Sequence, residues 1–582
     1  MSRVIMNNLF KRLMAGLICL ILLITLGIYT VTLVVDPNQF KSDIESTSAN
    51  AGVELGIEGN LGWQLFPLGI SAEKINFVLG DKSMAGSADQ LNLGVNLSTL
   101  FSLLSQRSQI PLSRLSIVNG RVLYALPNSL PMQFSQIELA VDHLNSAGNK
   151  FPIALHFLAP TGVKISLDAE IAMQMSGQAM TDLSIANFEL QVNALSVNGY
   201  LDAKDNLSKI QGNIKTESFD LIQQFKLVRR FVPDLIVPQL TDKNALTSIA
   251  FDSFFDIEIE GYSKIQTTLS IDGQAIDIDV DIDQQQNKLS TLVSAKTLHL
   301  DTYKPEPSAE TNNSLLFAPL AIPMALWHGQ SQFELNLMTV KFGDTTLSNL
   351  YANLFGNQNI FRLTSLSGDI FGGQFNATAA LDLKRSEPKF TIESSLSEID
   401  LSALTKSSDS INIGGKLNFQ ANINGSGDTT ESILQSLDGN GNFSIEQPSY
   451  LGLNLEQTLC NAAAIFGGKP IPKATWSDNT ELDDLSANLR FNKGRLLISD
   501  YQTKLANIDI YGNANLNLSS LRYSLNTTAL ATKSTSSAKG CKINPMIVKR
   551  EIPFRCKGAL GDTFKCKPDN NLIQTLLLPP VL

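Results

Sequence analysis

The sequence predicts a mainly β protein: one N-terminal transmembrane helix, followed by a long, twisted antiparallel β-sheet and a few short helices. Three observations predict this fold. Residues 13–35 form an apolar run, most of the remaining chain alternates apolar and polar residues with a period of two, and turn-forming clusters separate the alternating runs. Because period-two alternation is typical of strands with one apolar face, the chain after residue 35 is expected to form one hairpin after another.

The apolar run at residues 13–35 predicts a membrane anchor. As a helix rising ~1.5 Å per residue it would be about 34 Å long, enough to cross a bilayer. Arg3, Lys11 and Arg12 precede the run and Asp36 follows it, which predicts a cytoplasmic N-terminus and places the bulk of the chain outside the cytoplasm. A cleavable signal peptide is the alternative, but its apolar region is usually ~7–15 residues and ends in small residues, unlike the VVDPN sequence here.

Composition limits the classes of partner. The chain has 582 residues, a formal net charge of -10 and a pI of about 5.1, which argues against nucleic acid because such binders carry a basic surface. Charged residues make up 17% of the chain and apolar residues 43%. One anchor does not account for that apolar share, so the rest of the chain is expected to bury apolar surface or turn it toward a ligand.

The alternation is clearest in three segments, whose polar positions include Asp277, Asp279 and Asp281. The apolar members of these segments are Ile276, Ile278, Val280 and Ile282, then Phe333, Leu335 and Leu337, then Leu417 and Phe419. Each segment predicts a strand with one apolar face and one polar, solvent-exposed face. Hairpin turns are predicted at 119–120 (NG), 357–359 (NQN) and 492–494 (NKG).

Helical patterns are short and few. Asp36 as N-cap and Pro37 as first helical residue predict a helix to about residue 50, and further helices are predicted at 218–232 and 455–466. Proline and asparagine predict a loop near residues 303–323. The expected organisation is a cytoplasmic N-terminus and anchor (1–35), an N-terminal β-rich region (36–303), a loop (304–323) and a C-terminal β-rich region (324–582).

An apolar sheet face must be covered by helices, by a second sheet or by a ligand. Because so few helices are predicted, we expect an open apolar groove that a ligand covers. Its candidate lining residues are the nine apolar residues of the three segments named above. A closed β-sandwich produces the same alternation and remains the alternative.

Five cysteines are present, at positions 19, 460, 541, 556 and 566. In an oxidising compartment the C-terminal group predicts a disulfide. Residues 552–557 and 563–567 read as strands of one hairpin, which favours Cys556 with Cys566, and Cys541 with Cys556 is the main alternative. A zinc site lacks a CxxC pair and a nearby histidine.

Signals for catalysis or metal binding are weak. Residues 277–283 resemble a calcium loop, but Ile282 takes the position of the required glycine and Lys288 that of the bidentate acid. The four histidines are scattered, and the sequence contains no GxSxG, HExxH or P-loop motif. We therefore expect no enzymatic activity, no cofactor and no metal.

Short segments at both ends of the chain resemble the AsmA-like family of Gram-negative bacteria. At the N-terminus they are the apolar run, residues 35–40 (VDPNQF) and residues 59–67 (GNLGWQLFP). Later come 439–443 (GNGNF), 452–455 (GLNL) and 552–555 (IPFR), the last followed by Gly558. The middle of the chain resembles the family through its strand pattern alone.

The resemblance implies a location and a role. AsmA-like proteins are anchored in the inner membrane, project into the periplasm and are implicated in outer-membrane biogenesis, and their larger relatives resemble bridge-like lipid-transfer proteins. For this chain it implies binding of phospholipid acyl chains and their movement between the two membranes, with outer-membrane or periplasmic protein partners. A periplasmic scaffold that assists outer-membrane protein assembly without carrying lipid is the alternative.

Overall fold

The computed structural model describes residues 36–50, 52–65, 68–79, 83–95, 112–124, 132–143, 148–176, 179–229, 237, 239–304, 329–384, 387–405, 413–450, 454, 457, 475–533, 548–559 and 566–568. The chain divides into two compact units. The first comprises Met1–Leu235 and Ile249–Ile259, and the second comprises Ile236–Ser248 and Glu260–Leu582.

The first unit is a sheet in which β3 pairs with both β1 and β2, and each strand from β3 to β11 pairs antiparallel with the strand that follows it, ending at β12. Its elements are a 3-10 turn Pro37–Phe40, α1 Lys41–Asn50, β1 Val53–Ile57, β2 Leu61–Leu65, β3 Leu68–Leu79, β4 Met84–Val95, β5 Leu112–Tyr124, β6 Met132–Asp142, β7 Phe151–Ala159, a 3-10 turn Pro160–Gly162, β8 Val163–Ser176, β9 Ala179–Val192, β10 Leu195–Lys204, β11 Lys209–Thr216, α2 Leu221–Val228 and β12 Ile249–Glu258.

The second unit is also a sheet of strands that pair in chain order. Its elements are β13 Tyr262–Ile271, β14 Gln274–Asp283, β15 Lys288–His299, a 3-10 turn Asp301–Tyr303, β16 Gln330–Phe342, β17 Thr345–Asn357, β18 Ile360–Ile370, β19 Gly373–Asp382, β20 Lys389–Asp400, α3 Leu401–Thr405, β21 Ile413–Ser426, α4 Thr430–Ser436, β22 Asp438–Tyr450, β23 Thr480–Glu481, β24 Leu485–Asn492, β25 Arg495–Leu505, β26 Ile508–Asn517, β27 Arg522–Ala531, β28 Glu551–Ala559 and β29 Cys566–Pro568.

The pairing confirms the predicted antiparallel hairpins with one exception among the described strands: β15 and β16 are parallel. A parallel pair needs a crossover connection rather than a tight turn. The chain between these two strands contains the predicted loop 304–323, which lies almost wholly outside the described residues, so the domain boundary proposed there stays a prediction.

Two of the three predicted turns are confirmed, because 357–359 joins β17 to β18 and 492–494 joins β24 to β25. The turn predicted at 119–120 is wrong. Asn119 and Gly120 lie inside β5, where the register with β6 shifts between Ile117 and Gly120. A Cβ at Gly120 would lie 3.0 Å from the Cβ of Ile137, so this glycine permits a bulge against the neighbouring strand instead of a reversal.

The helix predicted from Asp36 is confirmed as a 3-10 turn that continues into α1, with the Asp36 side chain accepting from the backbone N–H of Asn38. The helix predicted at 218–232 is present as α2, which is shorter. Residues 13–35 and nearly all of 455–466 lie outside the described residues. None of the described helices has the length and apolarity needed to span a membrane, so the anchor stays a prediction.

A compact core lies at the start of the first unit. Its buried members include Leu61, Ile70 and Leu91, and Phe40 and Ile44 from the helical segment pack against them. Through Phe40 and Ile44, the helical segment 37–50 therefore covers part of the apolar face of the first strands.

Candidate functional site

All nine residues predicted to line a groove lie on one face of the second unit's sheet. Ile276, Ile278, Val280 and Ile282 alternate along β14 on the same side. Ile278 pairs with Val293 of β15, which pairs with Leu335 of β16, so these three residues share a face. Phe333 and Leu337 lie two residues before and after Leu335 and therefore on the same face. Ala421 of β21 lies in the same lateral row as Leu335. Leu417 and Phe419 precede Ala421 by four and two residues in β21, so their side chains lie on the same face.

The register builds a lateral row of mostly apolar residues that runs from strand to strand. From β14 to β28, omitting the short β23, the row consists of Ile278, Val293, Leu335, Ala352, Leu366, Ala377, Ser394, Ala421, Gly441, Leu489, Ile498, Ala514, Leu525 and Cys556. Partners in a sheet share a face, so these side chains form one continuous surface perpendicular to the strands. We call it, with the apolar rows beside it, the apolar face.

The central row of the apolar face contains small side chains in four neighbouring strands. Across β19 to β22 the central row contains only small residues, Ala377, Ser394, Ala421 and Gly441. Over the same four strands, the row on one side consists of Phe375, Leu396, Phe419 and Phe443, and the row on the other consists of Ala379, Ile392, Ile423 and Gly439. Long side chains therefore border the small row on both sides in β20 and β21, where they form a short furrow across these two strands.

The apolar face is mostly half-buried. Of the nine predicted residues, Leu337 is buried, Phe333 is exposed and the other seven are intermediate. Leu337 belongs to a small buried cluster with Ala295 and Val340. In the second unit the described helices α3 and α4 connect β20 to β21 and β21 to β22, so they lie at strand ends. Among the described residues, the face is therefore uncovered over most of its length.

The opposite face of β14 is polar. Asp277 accepts a hydrogen bond from the Thr268 hydroxyl at 2.8 Å, and Asp279 accepts one from the Gln266 side chain at 2.7 Å. Asp281 accepts one from the Tyr262 hydroxyl, and this bond raises the pKa of Tyr262. The aspartates thus pair with β13 along the strand, as predicted for a wet face.

Two open depressions lie over β18 to β22, with volumes of about 690 and 500 Å³. Both were missed by sequence reasoning. Most of the side chains that line the larger one carry hydroxyl or amide groups, for example Thr378, Gln420 and Asn442. Among the described residues, no group of three or more His, Cys, Asp or Glu could hold a metal ion.

The first unit carries a comparable apolar row that the sequence analysis did not select. Its members are Leu61, Ala72, Leu91, Ile117, Leu139, Leu155, Leu167, Leu190 and Val197. The signal was present in the sequence, because Ile165, Leu167 and Ala169 show the same period-two alternation. Beyond Leu91 every member of this row is half-buried.

Cys556 is fully buried and disulfide-bonded. Its Cα partner across the antiparallel β28–β29 pair is Cys566, which confirms the predicted hairpin. The side chain of Cys566 lies outside the described residues, so the pairing itself stays a prediction. We expect peptide mapping of the unreduced protein to recover the two cysteines in one linked fragment, and two free thiols would contradict it.

Comparison with known proteins identifies the family. The model of the AsmA family matches residues 6–121 and 132–501. The chain belongs to the AsmA family. A curated member, Protein AsmA of Escherichia coli (strain K12), is 19% identical over 545 residues, which cover 87% of this chain and 86% of that protein. The AsmA family match thus extends over both units and includes the middle of the chain.

Proposed function

We propose that the protein acts in outer-membrane biogenesis by holding phospholipid acyl chains on its apolar faces and moving the lipid between the inner and outer membranes. Membership of the AsmA family supports the general role. The observation that carries the specific role is the mostly apolar row that continues from strand to strand, from Ile278 to Leu525. Most of its side chains are half-buried, with Ala352, Ala421 and Leu489 buried, and no described helix covers most of its length.

The geometry favours a mobile apolar ligand over a fixed partner. A row perpendicular to the strands offers mostly apolar contacts at every ~4.8 Å step from one strand to the next. An acyl chain gains free energy by leaving water in proportion to its buried area, without a directional contact. Lipid can therefore shift along the row without breaking a directional contact.

The polar face suits the same role. Asp277 and Asp279 are hydrogen-bonded to β13 and remain on the solvent side, so an exposed sheet can stay soluble while its other face carries lipid.

We further propose that the protein is held in the inner membrane by residues 13–35, with the N-terminus cytoplasmic and the remainder periplasmic. A periplasm-dependent reporter fused after Leu582 is then expected to be active, whereas activity of a cytoplasmic reporter instead would contradict this topology.

Site-specific photocrosslinking in cells tests the lipid role. A photoreactive residue at Ile278 or Leu335 is expected to yield phospholipid adducts, because both positions lie in the apolar row. The matched controls are Asp279 and Glu334, which occupy the same strands on the opposite face. Equal adducts on both faces, or protein adducts without lipid at Ile278 and Leu335, would contradict lipid carriage, and the second result would favour a scaffold.

A further inference from the structure

Helix α2 has apolar side chains that no described element buries. Leu221, Ile222, Phe225 and Val228 fall at the i, i+1, i+4, i+7 spacing of one helix face. Leu221, Ile222 and Phe225 are half-buried, and Val228 is 43% exposed. Helices α1, α3 and α4 each pack on a strand, whereas α2 makes no comparable contact with a described strand.

The placement of α2 is also unlike that of a hairpin connection. It lies between β11 and β12, which are antiparallel neighbours that a short turn could join. The ladder between these strands extends to Phe219 and Ile249, whose backbone N–H groups donate to each other's carbonyls at 2.8 and 2.9 Å. Asp220 then caps the helix by accepting from the backbone N–H of Gln223 at 2.9 Å. The helix therefore starts directly after the last hydrogen-bonded pair of the β11–β12 ladder.

The charge of this segment is opposite to that of the whole chain. Lys226 lies in the last turn of α2, Arg229 is its C-cap, and Arg230 follows in sequence. No acidic residue occurs between positions 221 and 230, although the chain carries a net charge of -10. Neither Lys226 nor Arg229 forms an ion pair with a described residue. Two cations beside a partly exposed apolar face are complementary to the surface of a bilayer that contains anionic lipid.

We propose that α2 is an interfacial helix that docks the first unit onto an anionic membrane surface. Its apolar side chains would enter the headgroup boundary, while Lys226 and Arg229 contact lipid phosphates. This surface is separate from the apolar face of the sheet, and the proposal does not depend on lipid carriage.

The test uses the full chain with an environment-sensitive fluorescent amino acid at position 228. The protein is reconstituted into vesicles of phosphatidylcholine alone or of phosphatidylcholine mixed with phosphatidylglycerol. We expect a blue shift in the mixed vesicles and little shift in the zwitterionic ones. The matched control places the same probe at position 521, where Leu521 is 48% exposed in the turn after β26, and it is expected not to shift.

Three variants separate the contributions. Phe225→Glu is expected to abolish the shift, and Phe225→Leu to retain it, which distinguishes lost docking from misfolding. Lys226→Glu and Arg229→Glu are each expected to weaken association at low salt by roughly fivefold or more. Equal shifts in both vesicle types would overturn the anionic preference. No shift in any vesicle would overturn the proposal itself.

Discussion

One apolar row of the first unit changes character along its length. Leu61, Ala72 and Leu91 are buried in a core that Phe40 and Ile44 help to form, whereas the later members from Ile117 to Val197 are half-buried. The residues are similar in kind, and the strands alternate in the same way. The difference shows that the covering element, and not the alternation, decides whether an apolar row becomes a core or an accessible surface.

The helical segment 37–50, which covers this core, is attached to the sheet by specific hydrogen bonds. The Glu45 carboxylate of α1 accepts from the backbone N–H of Ile57, and the Asn38 side chain accepts from the backbone N–H of Leu61, each at 2.9 Å. These bonds satisfy N–H groups of β1 and β2, which pair with β3. Asn38 also donates to Asp36 at 2.9 Å, so the residue that follows the predicted anchor is linked to the first strands.

The largest effect is expected in the covered core. Ile70 is 2% exposed, so Ile70→Ala should leave a cavity and cost about 2–5 kcal/mol of the free energy of unfolding. Ile278→Ala on the open face should cost only about 1 kcal/mol, because less area leaves water there. Urea unfolding, with hydrogen exchange measured at β3 and β14, compares the two variants. Equal losses would remove the distinction between core and face.

A charge on the open face is expected to affect lipid more than folding. In Ile278→Glu and Leu335→Glu the carboxylate can remain solvated if the face is accessible, whereas a dry core would make it very costly. We expect a folded protein with several-fold less bound phospholipid. Thermal unfolding and mass spectrometry of bound lipid are measured on the same samples. Loss of cooperative unfolding would indicate a filled sandwich, and unchanged lipid in a folded variant would contradict a lipid-binding face.

Removing the attachments of the cover tests how α1 is held. Asn38→Ala or Glu45→Ala leaves one backbone N–H of the first strands without its acceptor, at a cost of about 1 kcal/mol each. The expected readout is faster hydrogen exchange in α1 and β1 with unchanged exchange in β7 and β8. Asp43→Ala, in the same helix, serves as control for Glu45→Ala. Uniform changes across the first unit would show that the cover is not a separate feature.

The smallest effect concerns the start of the helical segment. The backbone N–H of Asn38 and then its side-chain amide hold the pKa of Asp36 below its ordinary value of 3.8. A lowered pKa in the folded state stabilises the cap above the ordinary value, and this stabilisation is lost as the pH falls through the lowered value. The protection of residues 38–44 from exchange, relative to the intrinsic rate at each pH, should therefore fall at acidic pH. Asp36→Asn keeps an acceptor that does not titrate, so its protection should lack this acid-dependent decrease.

The sequence alone determined the strands and which of their side chains share a face. Period two is a local property of the extended backbone, so Ile276 to Ile282 and Phe333 to Leu337 could be assigned to one side before any contact was known. Asp36 and Pro37 likewise predicted the start of the helical segment, because capping involves near neighbours. The turns at 357–359 and 492–494 follow from residues that tolerate left-handed backbone.

The tertiary structure decided what lies beside each strand. The sequence around Asn119 is compatible with a turn or a bulge, and the contact of Gly120 with Ile137 in β6 selects the bulge. The parallel pairing of β15 with β16 and the row of small residues from Ala377 to Gly441 arise from register between strands far apart in sequence. Alternation shows which side of a strand is apolar, but coverage depends on distant elements such as α1. The buried state of Leu91 and the half-buried state of Leu167 could therefore be distinguished only in the folded chain.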